Sequence, residues 1–165
     1  MNAVEKFVQC AKDQVGKPYR WATAGPDAFD CSGLVAFCYE QATGEAITRS
    51  SYEQANLGMW VPKSGMKAGD LVMWGHGQAD HVGIFTGRDE FDGWVVNALN
   101  EHAGVVETTL DGNYGMPYLT SRRVFTERSI ISLPIDPITP VTPSTNPRKE
   151  QRKRERDLRR RRRKA

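Results

Sequence analysis

Near the start of the chain, apolar residues recur at helical spacing, at Val4, Phe7, Val8, Ala11 and Val15, and the run stops at Gly16. Asn2 followed three places later by Glu5 has the form of a capping box, so an amphipathic helix is expected there. "GKPYRWATAGPDAF" then carries turn residues throughout. "CSGLVAFCYEQATG" returns to helical spacing, with Leu34, Val35, Cys38 and Tyr39 or Ala42 in register before Gly44. Asp30 is the natural N-cap of this second helix and Cys31 its first residue. "RSSYEQANLG" reads as a loop with a short helix. Beyond it the pattern changes to short strands: "DLVMW" (70–74), "HVGIFTG" (81–87), "WVVNAL" (94–99), "GVVETTL" (104–110) and "SRRVF" (121–125), divided by Gly, Asp and Asn turns. Helices first and strands afterwards predict an α+β fold, with N-terminal helices packed on an antiparallel sheet of five to six strands.

From Leu133 the globular pattern ends. Pro134, Pro137, Pro140 and Pro143 stand three apart, the repeat of a polyproline II spacer. The stretch that follows is Arg-rich, with one leucine and no aromatic residue, and cannot bury a core. The expected organisation is therefore one domain over 1–132, a Pro/Thr-rich linker over 133–147 and a basic tail over 148–165, disordered or marginally helical. Charge follows the same division: the net +3 of the chain combines 11 Lys+Arg against 17 Asp+Glu up to residue 145 with 12 against 3 from there on. The tail is expected to attract a polyanion, whether wall polymer, anionic lipid or nucleic acid, and to offer little base recognition for want of aromatic residues. No apolar run approaches the roughly 18 residues of a membrane span. "MNAVEKFVQCAKDQ" lacks the basic-then-apolar pattern of a signal peptide, so the chain is expected to start as a soluble cytoplasmic product. Cysteines at 10, 31 and 38 are odd in number and form no Cys-x-x-Cys, which argues against a disulfide scaffold or a cysteine-rich zinc site.

Cys31 is the candidate for chemistry. A helix N-terminus offers unpaired N–H groups and the positive end of the dipole, both of which favour a thiolate; the alternative is a small apolar residue that happens to begin a helix. Cys38, one heptad later within the apolar stripe, is expected in the core, and Cys10 is a modestly buried bystander. A cysteine nucleophile needs an imidazole and a group to orient it. His76 lies in the Gly-rich turn "WGHGQAD", His102 in the turn "NEHAG", and His81 opens a strand, the most rigid of the three settings. The following strand offers Asn97 as orienter, with Glu101 and His102 at its far end as alternatives. An oxyanion would need donors from the N–H of Cys31 or Ser32, together with the Tyr19 hydroxyl, unless Tyr19 simply packs beside Trp21.

With "PYRW…PDAFDCSGLV", "RSSYEQ", "AGDLVMW", "DHVGIFTG" and "VVNAL…GVV" in that order, the chain resembles the NlpC family of papain-like cell-wall peptidases over about residues 5 to 125. The resemblance implies a papain-like core and a cysteine endopeptidase acting on the stem peptides of peptidoglycan, often between D-glutamate at its γ-carboxyl and a diamino acid. Carried over residue by residue, it implies Cys31 as nucleophile, His81 as general base, Asn97 as third polar residue and Tyr19 near the oxyanion site. Asp30, Ser32 and the segment Arg49–Ser50–Ser51 align with residues that shape the site. It implies no metal or organic cofactor. Two departures stand out: Ala22-Thr23 where the family usually has Gly-Gly, and Asn97 where it often has histidine. A monomer is expected, and the peptidase core with its basic tail suggests a phage-derived or phage-tail-associated wall hydrolase acting at the cell wall after lysis or non-classical export. Two other readings remain open: an acyltransferase using the same thioester, and a catalytically silent module that binds the wall or scaffolds an assembly.

Overall fold

The computed structural model describes residues 1–112 and 115–126; the linker and basic tail expected beyond residue 132 lie outside these residues. Helix α1 (Ala3–Asp13) begins as its capping box dictates, with the Asn2 side chain accepting from the N–H of Glu5 and the Glu5 carboxylate accepting from that of Asn2. It ends two residues earlier than the apolar period suggests. Gln14 is the C-cap, and Val15 is left 45% exposed in the turn that follows. Helix α2 (Cys31–Thr43) starts at Cys31 with Asp30 as N-cap and closes on Gly44 in the left-handed region. The short helix α3 (Ser51–Gln54) is capped by Ser50.

Six strands make one antiparallel sheet: β1 (Met59–Trp60), β2 (Leu71–Trp74), β3 (His81–Arg88), β4 (Gly93–Asn100), β5 (Gly104–Thr109) and β6 (Tyr118–Arg123), in the spatial order β1-β6-β2-β3-β4-β5. Alternate residues of the central strands enter two separate cores. Leu71, Met73, Val82, Ile84, Val96 and Ala98 pack with Phe7, Leu34, Val35 and Cys38 of the helices. On the other side, Val72, Trp74, Phe85 and Val95 pack with Val61, Met66 and Leu110. That double burial is why "LVMW" reads as an unbroken apolar run. Each such large side chain stabilises the fold by about 1.5–3 kcal/mol relative to exposure.

Two details of the sheet also depart from the sequence reading. Strand β1 was not expected, since two residues give no period. The last strand occupies 118–123 rather than 121–125, because Val124 and Phe125 leave the sheet for the helix layer, where the Phe125 ring sits 5.1 Å from Phe7 and 5.2 Å from Tyr39. A bidentate ion pair locks the end of β6 to the start of β2: Arg123 Nε donates to Asp70 Oδ1 at 2.8 Å and Nη2 to Oδ2 at 2.7 Å, with the Asp70 carboxylate buried. Among the described residues, no helix is long and apolar enough to cross a membrane.

Candidate functional site

The first turn of α2 meets the first residues of β3. Cys31 is partly buried, and the backbone N–H groups of Val82, Ser32 and Cys31 itself bear on its sulfur. Val82 directly follows His81, so the helix start and the strand start converge at this sulfur. Burial is nonetheless the larger influence and, with the Asp30 carboxylate adding to it, pushes the Cys31 thiol up; the three N–H donors oppose this only in part. The helix start alone therefore does not make the thiolate, contrary to the expectation drawn from the dipole.

His81 is 4% exposed, with its ring 5.8 Å from that of Trp74. Its Nε2 lies 2.9 Å from Asn97 Oδ1. A carbonyl oxygen can only accept, so Nε2 carries the proton and the lone pair is on Nδ1. The amide is held in that sense from its other end, where Asn97 Nδ2 donates to Thr108 Oγ1 at 3.1 Å. Burial pushes the imidazole pKa down from its ordinary value, and the bond to Asn97 partly offsets this. Ile84 stands opposite Val96 in the ladder, which sets Gly83 opposite Asn97 and His81 one diagonal step away. A side chain at position 83 would come within 2.4 Å of Val95 and 3.1 Å of the Asn97 Cβ, so glycine there leaves the path between the imidazole and the amide clear.

Asn97, rather than His102 or Glu101, bonds to His81. His102 and Glu101 are exposed in the β4–β5 turn, and His76 is exposed in the turn before β3. Tyr19 is half-buried and paired through its backbone with Phe29, between the cysteine and a cleft of about 620 Å³ that Trp21 also lines. Burial, followed by the nearby Cys31, Asp30 and Glu101, pushes the phenol up, which keeps its hydroxyl protonated and able to donate.

The other candidate residues form the frame beneath the helix start. Asp30 Oδ1 accepts from the N–H of Gly33 at 2.7 Å, and both its oxygens accept from Arg49, at 2.9 and 2.6 Å. Arg49 also donates to Ser32 Oγ at 3.0 Å and to the Thr23 carbonyl at 3.1 Å, joining the loop, the cap and the first turn in one network. The Ser50 hydroxyl is used in capping α3, and Ser51 Oγ donates to the Ala79 carbonyl at 2.8 Å, tying α3 to the turn that precedes His81. Gln54 is fully buried, and its Nε2 donates to the carbonyls of Ser32 and Thr48 at 3.1 and 2.8 Å. Residue-by-residue reading missed its part in this frame, since a glutamine closing one short helical turn carries no pattern of its own. Ala22, one of the two departures from the family pattern, adopts φ +59°, a conformation that suits glycine. Among the described residues, no group of three His, Cys, Asp or Glu side chains is placed to hold a metal ion.

The site thus combines a thiol among backbone donors at the start of α2 with an imidazole oriented by an amide at the start of β3. A family model described as "NlpC/P60 family" matches residues 16–124, which span every residue of the site. A probable endopeptidase of Corynebacterium glutamicum is 42% identical over 107 residues, covering 65% of this chain and 48% of that protein. The murein DD-endopeptidase MepH of Escherichia coli is 35% identical over 135 residues, covering 78% of this chain and 47% of that protein. The chain thus spans about half the length of these curated relatives. The solved structure of the peptidoglycan hydrolase RipB from Mycobacterium tuberculosis superposes with a TM-score of 0.64 at 29% identity, covering 75% of this chain and 65% of that one.

Proposed function

Since this chain belongs to the NlpC/P60 family, we propose that it is a cysteine endopeptidase that hydrolyses the stem peptides of peptidoglycan. The observation that carries the reading is the buried His81–Asn97 bond at the start of β3, whose next residue, Val82, brings its backbone N–H to bear on the Cys31 sulfur. In the mechanism, the Cys31 thiol gives its proton to Nδ1 of His81 as the sulfur attacks the scissile carbonyl carbon. The N–H groups at the start of α2 and the Tyr19 hydroxyl hold the resulting oxyanion. His81 then returns the proton to the leaving amine, the C–N bond breaks, and a thioester remains on Cys31. A water deprotonated by His81 attacks that thioester, and the sulfur departs and is reprotonated. Neutral resting partners suit this sequence, because a raised thiol and a lowered imidazole form the reactive pair only as the proton moves.

The bond we assign is the one between D-glutamate, at its γ-carboxyl, and a diamino acid. This assignment rests on the specificity that the family resemblance implies; Arg49, whose Nη1 and Nη2 donate to Asp30, Ser32 and the Thr23 carbonyl, frames the site. We further assign the Arg-rich stretch over 148–165 an auxiliary electrostatic role toward polyanions; binding that fails to weaken with added salt would contradict that role.

Mass spectrometry of muropeptides released from purified peptidoglycan tests the main reading. The wild-type chain is expected to yield fragments with a new carboxylate and a new amine at the γ-glutamyl bond, and Cys31→Ala to yield none while remaining folded. Fragments whose new carboxyl end is joined to an added amine would instead establish acyl transfer. Release by Cys31→Ala at the wild-type rate would overturn the mechanism.

A further inference from the structure

The two cysteines that the mechanism does not use meet across the helix layer. On α1, Phe7, Cys10, Ala11 and Gln14 are spaced three and four residues apart and share one face. Phe7 and Ala11 are fully buried in the same core as Leu34, Val35 and Cys38 of α2, and Cys10 packs against that core from its half-buried edge. The flanking aromatic residues fix the register: the Phe7 ring, one turn before Cys10, stands edge-on to Tyr39, the residue after Cys38, with centroids 6.3 Å apart. In that register the thiols of Cys10 and Cys38 are hydrogen-bond partners.

The two sulfurs differ in access and in acidity. Cys38 is fully buried, and the hydrogen bond to Cys10, followed by burial, pushes its thiol up. Cys10 is half-buried, and the bond from Cys38 pushes its thiol down, aided by Gln14 and Lys17 and opposed by burial and Asp13. Gln14 Nε2 lies 4.0 Å from the Cys10 sulfur while it donates to the Cys10 carbonyl at 3.0 Å, and Lys17 Nζ donates to Gln14 Oε1 at 2.7 Å. One side of the Cys10 sulfur thus faces a polar helix end, and the other faces Cys38. An accessible sulfur beside a second, buried one is the arrangement of an attacking thiol and its resolving partner. Cys31 stands two helical turns from Cys38, about 10 Å along α2, and is clear of this pair.

We propose that Cys10 and Cys38 are a redox pair that a low-molecular-weight disulfide closes into a bridge between α1 and α2, with Cys31 left outside it. The Cys10 thiolate attacks one sulfur of the small disulfide, which expels one small thiol and leaves a mixed disulfide on Cys10. The Cys38 sulfur then attacks the Cys10 sulfur, and its proton leaves with the second small thiol. The two cysteines are oxidised and the reagent is reduced to two thiols. This inference goes beyond the peptidase reading and stands without it, since neither sulfur belongs to the proposed site.

Oxidised glutathione is the probe. The full-length chain carrying Cys31→Ala, treated under native conditions, is expected to become about 2 Da lighter with no glutathione retained, as two thiols lose their hydrogens. In the wild type, fragmentation of the linked peptides is expected to place the bond between Cys10 and Cys38. Closing the chain between α1 and α2 is expected to raise Tm by roughly 5–15 °C, reversibly with dithiothreitol. Cys10→Ser, a change at the half-buried partner that spares the core, is expected to abolish both the bridge and the Tm response. A lasting glutathione adduct on Cys10, two thiols that persist in excess oxidant, or a bond to Cys31 instead of Cys38 would overturn the pairing. A bridged protein that melts no higher than the reduced one would overturn its action as a staple.

Discussion

Replacing Asn97 with alanine isolates the orienting bond of the proposed catalytic pair. The substitution removes the oxygen 2.9 Å from His81 Nε2 and leaves that N–H without its partner in a side chain only 4% exposed. An unsatisfied buried donor costs about 1–3 kcal/mol, which for a domain of this size lowers Tm by roughly 3–10 °C. The imidazole also loses the contact that assigns its proton to Nε2, so the tautomer with its lone pair on Nδ1 is no longer selected. The Trp74 ring 5.8 Å away still limits ring motion, so the expected fall in kcat is about 10- to 100-fold rather than complete, equivalent to about 1.4–2.7 kcal/mol in the barrier. Peptide hydrolysis followed by chromatography gives kcat, and thermal unfolding gives the stability change. Asn97→Asp serves as the partner experiment: it keeps an acceptor, restores most of kcat, and moves the acid limb of the rate profile to higher pH because the added charge favours imidazolium. If Asn97→Ala turned over at the wild-type rate, the orienting role would be wrong, whatever the effect on Tm.

The remaining predictions concern the same frame. Because the imidazole pKa is lowered from 6.5, hydrolysis should persist as pH falls past 6.5, and a profile of kcat/KM with its acid midpoint above that value would contradict the burial argument. The same shift acts on stability, since the unfolded chain takes up a proton near 6.5 and the folded one only at lower pH. The contribution of His81 is thus fully present above 6.5 and is lost as pH falls from there through the folded value, which denaturant melts at several pH values would reveal. Arg49→Ala leaves the buried Asp30 without its ion partner and should destabilise the fold by roughly 1–3 kcal/mol, given the partial exposure of the arginine, as measured by chemical unfolding. Ala22→Gly relieves a left-handed backbone at a non-glycine residue and should raise stability by about 1 kcal/mol; a lowered Tm would show that the loop needs the alanine.

Where local chemistry decides a feature, the sequence was legible. Asn2 and Glu5 specify the start of α1, and Asp30 specifies that Cys31 opens α2. His81 and Asn97 could be offered as a pair from sequence, with Glu101 and His102 as alternatives, because they lie on consecutive strands whose hairpin makes them diagonal neighbours. Features that depend on distant partners were not legible in this way. The edge strand at Met59–Trp60 exists only because β6 arrives beside it, and Val124–Phe125 reads as strand until the aromatic rings of the helix layer claim it. The resemblance named Arg49 as a site-shaping residue, but its bonds to Asp30 and Thr23 span 19 and 26 residues and no local pattern encodes them. The electrostatics of Cys31 also escaped the sequence, since a helix N-terminus predicts a stabilised thiolate and only the packing around it reveals that burial outweighs the donors.

Alkylation of the thiols tests the central claim most directly. With substoichiometric iodoacetamide, peptide mapping and residual hydrolysis are followed in the same samples. The account predicts that activity falls in proportion to modification of Cys31 and is independent of modification at Cys10 and Cys38. A protein fully modified at Cys31 that still hydrolyses its substrate, or inactivation that tracks Cys10 instead, would contradict it.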